Sequence, residues 1–159
     1  MQRQLTEGAT PFVVRERVRW SDVDAAGIVC YGSFLRFFEL AEGELFRAAG
    51  LPHTVLDGEG VWLVRRRMEC DFLRPARLDD ELEVRATVAA LGRTSVSLEF
   101  EIRGAAHDGA SVLSRYTLVA VDRESLRPVP LPERVRAGLR RFGCDARHIQ
   151  APPRAAHSQ

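Results

Sequence analysis

The chain has 159 residues, 45% hydrophobic and 28% charged, enough for one domain with one buried core. A formal net charge of +1 argues against nucleic acid or an anionic membrane as the main partner, and no apolar run approaches the ~18 residues that span a bilayer. All basic residues are Arg, and Cys30, Cys70 and Cys144 lie far apart without CxxC spacing, so neither a disulfide framework nor a zinc site is indicated.

Residues 1–11 read as a flexible lead. They contain no apolar signal segment, so the chain is expected to stay in the cytoplasm. From Phe12 to Trp20 the pattern has period two, which predicts a strand: Phe12, Val14, Val18 and Trp20 on one face, Arg15, Arg17 and Arg19 on the other. Glu16 is the exception on the apolar face. Asp24 follows at the strand's end, then a small-residue turn (Ala25, Ala26, Gly27) and a short apolar run (Ile28, Val29, Cys30).

From Ser33 to Ala49 the period becomes helical, with Phe34, Phe38, Ala41, Leu45 and Ala48 in one stripe. Gly50 fits the position just past the helix end, and Pro52 blocks continuation. Leu35, Phe37 and Phe46 make the helix apolar on more than one side, as a helix wrapped by a curved sheet would be. Gly43 inside it costs about 1 kcal/mol relative to Ala, which predicts close backbone packing there.

A loop is expected from His53 to Gly60, followed by strands near Val61–Leu73, Glu81–Leu91, Thr94–Arg103 and Ser111–Asp122. Asp108-Gly109 is a hairpin signal. Pro128 to Pro132 lead into a short helix carrying Val135, Leu139 and Phe142, and residues 143–159 read as a disordered tail. The folded domain is thus 12–142, an α+β arrangement of one long helix across an antiparallel sheet of about five strands. Its uncovered face and edges favour self-association.

Two segments carry a resemblance. Asp22-Val23-Asp24-Ala25-Ala26-Gly27-Ile28-Val29-Cys30-Tyr31 and Arg74-Pro75-Ala76-Arg77-Leu78-Asp79-Asp80 resemble the hotdog-fold acyl-CoA thioesterases of the 4-hydroxybenzoyl-CoA thioesterase and YbgC type. The likeness runs from about Phe12 to Leu139. It implies the hotdog fold, with a long central helix wrapped by a curved antiparallel sheet, and hydrolysis of an acyl-CoA to free acid and coenzyme A. It also implies a homodimer or homotetramer whose pockets are each built from two subunits, and no metal or prosthetic group.

By the same resemblance Asp24 is the catalytic carboxylate, the main-chain N–H at Tyr31 polarises the thioester, and Arg93 and Arg127 contact the coenzyme phosphates. Cys30 stands where relatives often carry an aromatic, and Tyr31 where YbgC-type members carry His, so acyl preference is not carried over.

The chemistry suits the residues. A charged carboxylate can attack a thioester or activate water, and a helix's positive end favours the negative charge developing on the carbonyl oxygen. The competing role for Asp24 is a turn or capping aspartate. Asp22 is read as the turn's anchor, with direct involvement as the lesser role, and Glu39 as a helix carboxylate pairing with an Arg such as Arg36, or else a second acid. On a strand the faces of Arg65-Arg66-Arg67 alternate, so the three cannot form one patch within a single chain; one or two could line a cleft for phosphates, and a solvated edge is the commoner role.

No GxSxG elbow, dinucleotide loop or metal-ligand spacing supports a rival chemistry. The alternatives are an acyl-carrier-protein thioesterase and a non-catalytic acyl-CoA-binding hotdog domain.

Overall fold

The computed structural model describes residues 10–104 and 109–143. The expected N-terminal lead (residues 1–9), Asp108 of the hairpin signal, Cys144 and the rest of the expected tail lie outside the described residues. Five strands, β1 (Phe12–Arg17), β2 (Val61–Phe72), β3 (Glu81–Leu91), β4 (Ser95–Gly104) and β5 (Val112–Asp122), form one antiparallel sheet in the order β1-β3-β4-β5-β2. The helix α1 (Phe34–Ala48) lies across one face, packing on β1 and β3, which is the hotdog arrangement.

Alternation decides what each face carries. Val84 of β3, Leu98 and Phe100 of β4, and Tyr116 and Leu118 of β5 point toward α1 and are buried. Phe34, Phe37, Phe38, Ala41, Leu45 and Phe46 of α1 meet them; the Phe38 and Phe100 rings lie 5.2 Å apart, and Phe100 stacks on Tyr116 at 4.8 Å. The outer face carries cross-strand ion pairs instead, among them Arg15–Glu83 at 3.4 Å and Arg115–Glu99.

Several expectations need correction. β1 stops at Arg17, and Trp20 sits 78% exposed in a 3-10 turn (Trp20–Asp22) rather than on the strand's apolar face. Pairing ends there because the Asp22 carboxylate captures the Arg19 N–H at 2.8 Å and turns the chain. Ala48 is exposed while Ala49 is buried, since the backbone leaves the helix at Gly50 with φ +74°. Residues His53–Gly58 form a second helix, α2, where a loop is expected; six residues are too short to show a period.

Gly43 does not pack closely against backbone: a Cβ there would meet only Arg47 Nη1, at 3.8 Å. Gly143 pairs with Val88 and so belongs to the fold rather than to a tail. α3 (Glu133–Arg140) buries Val135 and Leu139, while Phe142 just beyond it meets the Phe12 ring edge-on at 5.8 Å.

The register of β2 slips between Arg65 and Arg67. This bulge changes the facing of the arginine run. Arg65 turns inward to Glu42 of α1, whereas Arg67 pairs with Glu69.

Candidate active site

Asp24 opens a tight turn. The Gly27 N–H reaches the Asp24 carbonyl and the Asp24 N–H reaches that of Ile28, each at 2.9 Å, with Gly27 at φ +72°. That is a type I turn closed by a left-handed residue, the standard three-residue hairpin, and it explains why glycine stands at 27. Asp24 Oδ1 accepts the Ala26 N–H at 2.8 Å, so the turn-forming role is real. The residue is exposed, and its Oδ2 accepts no hydrogen bond among the described residues.

The two segments that carry the resemblance meet in space. The Val29 N–H bonds the Ala76 carbonyl at 2.8 Å, Ile28 bridges Arg77, and the Arg17 guanidinium donates to the Asp79 carbonyl at 2.6 Å. The acidic pair serves this junction: Asp80 accepts the Arg77 N–H at 2.8 Å, and Asp79 takes a left-handed φ of +66°.

Asp22 is the anchor. It is 3% exposed, and Arg36 of α1 grips it with both Nε (3.0 Å to Oδ1) and Nη2 (2.5 Å to Oδ2). Arg36 also donates to Glu16 at 3.1 Å, as does Arg19 at 2.8 Å, which accounts for the acid on the apolar face of β1. Burial by itself pushes the Asp22 carboxyl up, but the Arg36 fork and the Arg19 N–H together outweigh it and hold the group below its ordinary value. The expected Glu39–Arg36 pair does not form, because Arg36 is taken by Asp22 and Glu16; Glu39 is exposed on α1 within electrostatic reach of Arg65.

The Cys30 N–H bonds the Asp22 carbonyl at 2.9 Å and delivers the chain into a 3-10 turn, Tyr31–Ser33, that runs straight into α1. As the first residue of that turn, Tyr31 has an N–H without an intrahelical acceptor, and neither Cys30 nor Ser33 caps the helix with its side chain. Trp20, Tyr31, Leu35, Phe72, Leu73 and Leu78 are exposed apolar side chains on the segments at this end of the sheet. Such a concentration marks a surface that a ligand or another chain covers. No periodic pattern announces it, because its members come from five separate segments.

Arg93 and Arg127 are exposed at the other end of the sheet, where β3 turns into β4 and β5 leaves the sheet. The Asp24 turn joins the start of β3 through Val18 and Asp80, so the eleven residues of β3, roughly 33 Å, separate the two sets. One chain does not bring them together. Among the described residues no group of three or more His, Cys, Asp or Glu is placed to hold a metal. No helix among them is long and apolar enough to cross a membrane.

Comparison with known proteins identifies the family. The family model of the thioesterase-like superfamily matches residues 18–139. The acyl-CoA thioester hydrolase YbgC of Escherichia coli is 33% identical over 122 residues, 75% of this chain and 88% of that one. The 1,4-dihydroxy-2-naphthoyl-CoA hydrolase of Synechococcus elongatus is 28% identical over 125 residues, 77% and 90% respectively. A crystal structure of a hypothetical protein from Aquifex aeolicus superposes with a TM-score of 0.75 at 28% identity, covering 81% of this chain and 99% of that one. With the match running from the end of β1 to α3, the chain belongs to the thioesterase-like superfamily and is a thioester hydrolase built on the hotdog fold.

Proposed function

We propose that this chain hydrolyses acyl-CoA thioesters with Asp24 as nucleophile or general base. One observation carries the reading: the Asp24 turn is bonded into the uncapped amino end of α1, with an Asp24 oxygen left over. The thioester oxygen takes the Tyr31 N–H and the positive helix end, and Asp24 Oδ2 faces the acyl carbon or the attacking water. Water supplies the hydroxyl, the carbon–sulfur bond breaks, and the coenzyme leaves as a thiolate that takes up a proton. The chemistry draws on no metal or prosthetic group. The YbgC and naphthoyl-CoA relatives support coenzyme A thioesters as the substrate class.

The working unit is a dimer. β2 is a twelve-residue edge strand bearing exposed Trp62, Val64, Met68 and Phe72, which calls for a covering strand. Antiparallel pairing of two β2 edges about a two-fold sets the Val61 end of one copy beside the Phe72 end of the other. Phe72 touches Phe34 at the start of α1, so the partner's Arg93 and Arg127 come to the same end as Asp24. Those arginines then serve the coenzyme phosphates across the interface.

The test is thiol release from a panel of acyl-CoA and acyl-carrier-protein substrates. Asp24→Asn should lose at least about a hundredfold in kcat while keeping the fold. Full turnover by Asp24→Ala would refute the mechanism, and an inactive wild type over the whole panel would refute the reaction.

A further inference from the structure

α1 packs over β1 and β3 and α2 over β2, which leaves a cleft between α1, α2 and the start of β2 that the reading above does not use. Its volume is about 250 Å³, and Phe46, Leu56 and Leu63 make it mainly apolar. Two residues in its wall are unusual for where they stand.

Gly43 is the first. Glycine weakens a helix interior, and here no neighbour demands it, since a Cβ would find its nearest contact at 3.8 Å on a flexible arginine tip. What the missing side chain provides is open space, because Gly43 lines the cleft. Glu42 is the second. Its Oε2 accepts from Arg65 Nη2 at 2.9 Å and from the buried Tyr116 hydroxyl, while Oε1 accepts no bond among the described residues. A fixed carboxylate in an apolar wall, with a free oxygen, is a positioned acceptor.

We propose that this cleft is the acyl-group subsite, that Gly43 sets its depth, and that Glu42 Oε1 accepts a hydroxyl borne by the acyl group. This rests on the acyl-CoA reading. A cavity of 150 Å³ holds benzene, so this one takes a single ring or a medium chain with its hydroxyl. In the two-fold pairing, Val61–Val64 lie against the partner's Phe72, so the cleft opens beside the partner's Asp24 turn.

The experiment pairs binding with turnover. Phenylacetate and 4-hydroxyphenylacetate are titrated calorimetrically into wild type, Gly43→Ala, Gly43→Leu and Glu42→Gln, and their CoA thioesters are assayed by thiol release. Wild type should bind the hydroxylated acid at least tenfold more tightly. Gly43→Leu, a good helix former that fills the space, should weaken both acids at least tenfold, and Gly43→Ala should unfold no earlier than wild type and bind between the two. Glu42→Gln should cut the hydroxyl preference below threefold.

Unchanged affinities in Gly43→Leu, a preference that survives Glu42→Gln, or a wild type that binds neither acid would overturn the proposal. Binding that follows these expectations without turnover of any thioester would support the subsite and refute the hydrolase reading. Turnover whose profile ignores Gly43 would do the reverse.

Discussion

Replacing Asp22 by Asn tests whether one buried charge holds the Asp24 turn against α1. The carboxylate receives three donors, two from the Arg36 fork and one from the Arg19 N–H, at 3% exposure. Asn keeps the shape but loses the charge and turns an amide group toward a donor. Breaking a buried pair by removing one partner costs 3–5 kcal/mol. Arg36 is 28% exposed and keeps Glu16, so the lower end applies, about 3 kcal/mol. That corresponds to a melting temperature lowered by about 6–12 °C.

The sign with pH follows from the Asp22 carboxyl, held below its ordinary value in the folded state. A depressed acid stabilises fully above its unfolded value, about 3.9, and the contribution disappears as pH falls through the lower folded value. Urea unfolding at fixed protein concentration should show the full wild-type advantage from pH 7 to pH 5. The gap should close on further acidification. A difference under 1 kcal/mol at pH 7, or one that persists undiminished at pH 2, would refute the reasoning.

Gly138→Ala should destabilise by about 1–3 kcal/mol in the same measurement, because its Cβ would lie 2.7 Å from the Ala49 carbonyl oxygen, a backbone atom that cannot swing aside. Wild-type stability in that variant would mean that α3 is not seated as described. Burial pushes the Cys70 thiol up to about 11, against a lowering contact from Ser114. At pH 8 only about one molecule in a thousand then carries its thiolate, so alkylation mapped by mass spectrometry should find Cys70 the slow site relative to Cys30. Equal labelling would contradict its environment.

Wherever a local period or a local turn decides the outcome, the amino-acid order was sufficient. Apart from α2, the strand and helix spans from Phe34 onward emerged within a residue or two because side-chain alternation and the helical stripe are properties of consecutive residues. Gly27 and Gly50 were legible because they sit where a left-handed φ is needed. The family followed from two short segments, since turn geometry constrains neighbouring residue types tightly.

Tertiary packing decided the rest. Arg36 chose Asp22 and Glu16 over Glu39, three residues further along its own helix, because β1 and its turn bring two acids to the arginine fork. The bulge in β2 put Arg67 on the opposite face from Arg65, which points inward to Glu42 and Tyr116, whereas regular alternation would keep these two residues on one face. Gly43 turned from an expected packing contact into a cleft wall because α1 lies toward β1 and β3 and leaves β2 partly uncovered. The placing of Asp24 at one end of the sheet and Arg93 and Arg127 at the other belongs to the same class. Sequence order fixes which residues can turn or alternate, whereas distance between remote segments depends on how whole elements stack, and no local pattern encodes that.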